Sequence, residues 1–444
     1  MTPPTRRGIA CAMPRRPPPQ GGRCTNGQLR VAASESDLPL LTIAKRAAFT
    51  AAGLVFAFAL YQALALNAQP DFFIYRQGAV LGLRGESPYE PSKIRAAVAE
   101  QFPDPDAGPD SFVNNCGYFL PPAAVLLYAP FAVLPWSAAK VAWALVCGVA
   151  AFGVTRIPKL FRTASASEAS VWEVLVPVLL VVNFLTLAVV QVGQTTLVAV
   201  GCVAFGQLCF EKRRPLPGVL LWSVAFVKPH VALPLVLLAW CLGGWKRAVA
   251  LVAIVAVENV LGAIIAGGSP LFLGEYLDFL AAGHKAVAFN LAERNYEITS
   301  WNRLLFVGTK YLIEQTASTT LAGYLIWFGL IIGRCAAANA RPSPAWAAAA
   351  AAVGSAFVPQ VLGYEVLILA LVVPWVRELF ESGWRTRAGI ATLLLAVQLV
   401  PFAMFESLGI TYHRPLAVAL LAVVVLAGPI APAQNRASNP ISKP

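Results

Sequence analysis

The run "LALNAQPDFFIYRQGAVLGLRGESPYEP" carries Asp71 at the point where an apolar segment gives way to aromatics, two arginines and a Gly-rich turn. A carboxylate there is ionised at neutral pH, so it has the chemistry of a general base toward a hydroxyl. Other polar residues stand at the ends of other apolar segments. They are Gln194 in "QVGQTT", Lys228 and His230 in "FVKPH", Arg303 in "ERNYEITSWNRL", and Tyr364 with Glu365 in "VPQVLGYEV". A lysine or arginine so placed can hold an anion such as a phosphate. Each also has a plain alternative. Lys228 can snorkel, Glu365 can cap a helix, and Asp71 can be a solvated helix-end carboxylate.

The elements that must position these residues follow from composition. The chain of 444 residues is 58% hydrophobic and 13% charged, with a mean hydropathy of +0.65. A soluble domain carries about 25% charged residues. Apolar runs lie at about 47–66, 119–134, 137–154, 171–190, 194–210, 217–230, 231–245, 248–266, 317–333, 345–358, 363–376, 388–404 and 415–431. The fold class read from them is all-α, a multi-pass integral membrane protein of about 12 transmembrane helices, several broken or tilted. Segment 119–154 leaves its parity open. It reads as two helices but must make one net crossing, and its prolines mark "YFLPPAAVLLYAPFAVLP" as a partial or re-entrant element.

Loop charge sets the orientation. Basic connections lie at 156–162, 211–214, 245–247, 334–341 and 377–387. Placing them in the cytoplasm with the N-terminus puts 67–118 and 268–300 outside, at net −3 and −2. Asp71, Gln194, Lys228, His230, Arg303, Tyr364 and Glu365 then all face the external side. Ionisable groups near membrane depth are costly, so several on one side of a bundle point to a shared cavity. The first external loop holds two amphipathic segments, "FFIYRQGAVLGL" and "PSKIRAAVAEQF", expected to lie on the membrane surface over the site.

The remaining signals exclude more than they assign. The net charge of +12 sits in short loops and tails, as orientation signals do, and no nucleic-acid partner is expected. The eight cysteines show no CxxC, and three scattered histidines suggest no metal site. Neither a GxGxxG nor a P-loop occurs, and no cofactor is expected. Residues 1–45 are basic, rich in Pro, Gly and Arg, and too poor in apolar residues to build a core. They read as a disordered cytoplasmic tail or an over-long gene start. A membrane domain over 46–432 and a cytoplasmic tail at 433–444 complete the division.

Four stretches then resemble one family in order and spacing. Asp71 and Tyr75 followed by "GLRGESPYEP", with Arg84 and Tyr89, resemble the first external loop of glycosyltransferase family 87, the polyprenyl-phosphate-mannose-dependent mannosyltransferases. "YFLPPAAVLLYAPFAVLPWSAAKVAW", beginning at Tyr118, resembles its Tyr-Pro-Pro helix, and "VGQTTLVAVG" and "PGVLLWSVAFVKPHVALPL" resemble its Gly-Gln and Lys-Pro helices. The likeness runs from about residue 50 to 375. It implies a GT-C bundle in the cell membrane with an external active site. It implies inverting transfer of a hexose, mannose in the family, from a polyprenyl-phosphate sugar to a hydroxyl of a lipid-linked or envelope glycan acceptor. It implies that Asp71 is the catalytic base. Lys228 is then the first candidate for the donor phosphate. Arg84, Gln194 and Arg303, with Tyr89, Tyr118, His230, Tyr364 and Glu365, are candidates for the same cavity. One departure stands out. Mycobacterial members carry a Ser-Pro, histidine-rich stretch where this chain has "FVPQVLGYEVLIL", so the acceptor or sugar can differ.

Two other readings stay open. A transporter or flippase for a lipid-linked sugar would show internal repeats and a midplane site. A ligase or polymerase of lipid-linked sugars would carry a large late external loop rich in arginine.

Overall fold

The structure is a computed structural model that describes residues 37–66, 69–103, 116–161, 171–286, 301, 304, 317–339, 341–358, 363–400 and 412–430. Every regular element among them is helical. The first helix, α1 (Asp37–Leu64), starts inside the stretch read as tail, because "LPLLTIA" extends its apolar run toward the N-terminus. Two short helices follow, α2 (Pro70–Leu83) and α3 (Pro91–Gln101), each with proline in its first turn, where the missing N–H has no helical partner. They match the two amphipathic segments of the first loop. α2 packs on α4 (Ala123–Ala132), with Phe72 and Tyr75 against Tyr128.

The 119–154 segment holds two apolar helices of unequal length. α4 has ten residues, a rise of about 15 Å and half of a hydrocarbon core. It starts after Pro121–Pro122, and the Arg76 side chain caps its end by donating to the carbonyls of Phe131 at 3.0 Å and Leu134 at 2.6 Å. α5 (Trp136–Val154), which packs on α1, belongs to a stretch long and apolar enough to cross.

Breaks recur along the rest of the chain. α6 (Trp172–Val182) and α7 (Phe184–Val192) are bent by 52° at Asn183, whose side chain caps α7 by accepting from Leu185 N–H at 2.9 Å. α8 (Thr196–Glu211) and α9 (Pro215–Val224) form a tight pair, and a short α10 (Pro229–Ala232) follows. The expected pair of spans at 231–245 and 248–266 runs together as α11 (Leu235–Gly267). It is broken only at Gly244, whose φ of 69° a glycine adopts without strain. The portion before the break is too short to cross a membrane. α12 (Phe272–Ala286), α13 (Ala317–Ala338) and α14 (Pro344–Phe357) follow. A ten-residue 3₁₀ segment, Gly363–Val372, then leads into α15 (Val373–Glu381), α16 (Arg385–Gln398) and α17 (His413–Ala427).

Four helices among the described residues are long and apolar enough to cross a membrane, or five if the bent α6–α7 pair is one span. The sequence suggested about twelve. Five further apolar helices among the described residues have 10–17 residues, several starting at or interrupted by proline.

Candidate active site

Asp71 lies in the first turn of α2, outside the membrane-spanning helices. Two left-handed residues bring it to its partners. Gln69 takes φ 76° and donates its N–H to the carbonyl of Gln191 at 2.9 Å. Gly193, after α7, also takes φ 76°. Its backbone approaches so closely that a Cβ there would sit 2.7 Å from the Cβ of Phe72. Only glycine meets both demands. The next residue, Gln194, is thereby held against α2, and its side-chain amide donates to Asp71 Oδ2.

Lys228 enters from the break between α9 and α10. It is 4% exposed, and its ammonium donates to Glu365 Oε1 at 2.5 Å and to Thr196 Oγ1 at 3.4 Å. Glu365, also 4% exposed, is the third residue of the long 3₁₀ segment. Such segments rarely exceed three or four residues, and longer ones often mark functional positions. Four separated parts of the chain thus deliver one polar group, in which Gln194, Thr196, Lys228 and Glu365 are buried and Asp71 is half-buried.

The fields at Asp71 oppose each other. Burial raises its pKa most, the Lys228 charge and the Gln194 hydrogen bond lower it, and the Glu365 charge raises it. The result is about 6, against an ordinary 3.8. The carboxylate is therefore mostly ionised at neutral pH yet more basic than a solvated aspartate, which suits it to take a proton from a hydroxyl.

The family model of glycosyltransferase family 87 matches residues 118–363, more than half of the chain. The chain belongs to glycosyltransferase family 87. No curated protein and no solved structure matches it. The family-87 match includes Gln194, Thr196 and Lys228, while Asp71 precedes it and Glu365 follows it by two positions.

The other residues read from sequence are placed differently in this family-87 chain. Arg84 is exposed at the opposite end of α2 from Asp71, about 20 Å along the helix axis. The polarity of a short helix separates two residues that share a loop in the sequence. Tyr89 and Tyr118 belong to a neighbouring aromatic group with Phe272, Tyr276 and Phe279, at ring separations of 5.4–5.7 Å. Tyr89 Oη donates to the carbonyl of Leu120 at 3.0 Å, and the Tyr118 ring packs directly on Gly78 of α2. Burial pushes both phenols above their ordinary range, so they stay neutral. His230 and Tyr364 are described by their backbone alone, in α10 and the 3₁₀ segment, and Arg303 lies outside the described residues.

Sequence reasoning had not singled out Thr196, which a search for polar side chains one helical step from Gln194 would have found. It had also not anticipated the apolar grooves. The larger, of about 270 Å³, is lined by residues such as Trp172, Leu180, Val366, Leu395 and Leu399 and contains neither Asp71 nor Lys228. No ionisable residue lines it.

Proposed function

We propose that the chain transfers a hexose, with mannose as the first candidate, from a polyprenyl-phosphate sugar to a hydroxyl of a lipid-linked or envelope glycan, with inversion. The observation that carries this reading is a carboxylate of raised basicity beside a buried lysine, in a chain of a glycosyltransferase family. Asp71 takes the proton of the acceptor hydroxyl as its oxygen attacks the anomeric carbon from the face opposite the phosphate. The bond from that carbon to the phosphate oxygen breaks, and the lipid phosphate leaves with the electron pair. Lys228 is the cation placed to stabilise the developing negative charge, in a setting where water is excluded and charge–charge interactions are strong. Glu365 holds Lys228 until the donor arrives.

The reading places the site on the external face of a bacterial-type plasma membrane, within a GT-C bundle. The net −3 and −2 of the two loops at that end support it. The apolar grooves are consistent with a lipid-linked substrate. The test is incubation of purified protein with radiolabelled polyprenyl-phosphate mannose, glucose and galactose in the presence of membrane lipid extracts. Transfer of label with an inverted anomeric centre is the expected result. Absence of transfer from every prenyl-phosphate sugar, with transport of a lipid-linked sugar across sealed vesicles instead, overturns it.

A further inference from the structure

The Gln194 side chain is buried, 5% exposed, where the end of α7 meets the first turn of α2. What it does reach is Asp71 Oδ2. A carboxylate oxygen accepts only, so the amide nitrogen must be the donor in this contact. Asp71 makes no second hydrogen bond among the described residues. One oxygen is thus held and the other is left over.

The backbone around this contact is braced to an unusual degree. The Gln69 to Gln191 hydrogen bond ties the turn before α2 to the end of α7. Both turns use left-handed residues, Gln69 and Gly193, and the first of these is not glycine. A non-glycine residue in that region costs about 1–2 kcal/mol and persists only where the surroundings enforce it. Gly193 N–H and Gln194 N–H then close the end of α7 on the carbonyls of Val190 and Val189. The whole turn therefore fixes where the Gln194 side chain begins, relative to the first turn of α2.

Resting on the function proposed above, we infer that Gln194 is a positioning residue for the base. It pins Asp71 Oδ2 so that Oδ1 faces the acceptor hydroxyl, and it does not contact the donor phosphate. An amide is suited to the task because it is neutral. A cation making the same contact would stabilise the carboxylate further and take away the basicity that the reaction uses. The charged groups facing Asp71 among the described residues are Lys228 and Glu365, of opposite sign, and its own charge is felt by Cys116 and Tyr128.

The experiment compares the full-length wild type with Gln194→Met, which keeps length and loses the donor. Two readouts are taken: steady-state transfer from a prenyl-phosphate sugar across pH, and the pH midpoint of carbodiimide reaction at Asp71, followed by peptide mass. Carbodiimide reacts with the protonated carboxyl and requires no turnover. A charge-assisted hydrogen bond removed without replacement should lower kcat by roughly ten- to hundredfold. The donor KM should stay at the wild-type value. Because the hydrogen bond favours the ionised form, its loss should move both the acid limb of the rate profile and the carbodiimide midpoint upward from about 6. A raised donor KM with both midpoints unmoved would show a phosphate contact and overturn the inference, as would wild-type kcat and midpoints. If Gln194→Met does not fold, Gln194→Asn, one methylene shorter, must show the same upward shift, and an unmoved midpoint there overturns the inference. A wild type inactive with every prenyl-phosphate sugar sinks the proposed function instead, while the carbodiimide midpoints still decide the role of Gln194.

Discussion

Asp71 and Lys228 show how a single side chain acquires a task from its surroundings. A solvated aspartate is a weak base. Half-buried in the first turn of α2, Asp71 has its pKa raised to about 6 by desolvation and gains basicity while remaining mostly ionised at pH 7. Since the base acts only when deprotonated, kcat/KM should rise with pH through about 6 and level off above it; a rate independent of pH between 5 and 7.5 would assign the proton elsewhere. Asp71→Asn keeps the shape and removes the basicity, so kcat should fall by roughly 10²–10⁴-fold while donor binding persists. Loss on Glu365→Gln with little loss on Asp71→Asn would move the base to Glu365. Lys228 needs a more careful variant. Lys228→Ala alone leaves Glu365 as a buried, unpaired carboxylate, which costs about 3–5 kcal/mol. The double variant Lys228→Met with Glu365→Gln removes both charges together and should restore the melting temperature. Its donor KM should remain high, as the phosphate has lost its cation. A wild-type donor KM in the folded double variant would reduce Lys228 to a structural partner of Glu365.

The elements explain which of these residues sequence could reveal. Asp71, Gln194, Lys228 and Glu365 were legible because each is polar or ionisable at the end of an apolar run, and hydropathy alone finds such ends. Arg84 was legible as a candidate but not as a position, because adjacency in a loop does not say that a helix of 14 residues will carry the two ends apart. The breaks within the apolar segments were legible only in part, for a related reason. Hydropathy measures apolar length and is blind to a φ of 69° at Gly244 or to a 3₁₀ path from Gly363 to Val372. Gly193 was quoted within its motif, yet nothing in sequence gave the 2.7 Å approach to Phe72. That approach makes it a point where an element controls chemistry. Gly193→Ala should cost about 1–2 kcal/mol for the left-handed backbone alone, with the collision added. The turn must then swing away from α2, taking Gln194 from Asp71. The expected outcome is a loss of transfer larger than the loss of folded protein, measured as specific activity against the fraction that elutes as monodisperse protein in detergent. Full specific activity in Gly193→Ala would mean that the turn relaxes without moving Gln194.

At the scale of the whole molecule, contacts group the loops by end of the bundle. Lys159, from the connection at 156–162, pairs with Glu173 at 2.6 Å, and Glu173 also meets Arg377 at 3.6 Å. Phe161 donates its backbone N–H to the Glu211 side chain, joining the connection at 211–214. Arg247 lies over the Phe210 ring at 4.0 Å, and Ser343 donates to Glu378 Oε2 at 2.9 Å. The basic connections therefore meet at one end. Ser87 and Glu275 meet at 3.2 Å, joining the two net-negative loops. In the grouping of five basic connections at one end, the positive-inside rule assigns that end to the cytoplasm, because Lys and Arg in short loops resist translocation. On that assignment we propose that the site carrying Asp71 faces the external side. This is testable with single cysteines at two exposed positions, Arg213→Cys and Ser92→Cys, in a chain whose eight native cysteines are replaced. In intact cells a membrane-impermeant maleimide should label position 92 and leave position 213 unlabelled until the membrane is opened. Labelling of 213 in intact cells, with 92 protected, would invert the protein in the membrane. It would place Asp71 on the cytoplasmic face, where the donor would have to present its phosphate from the inner leaflet.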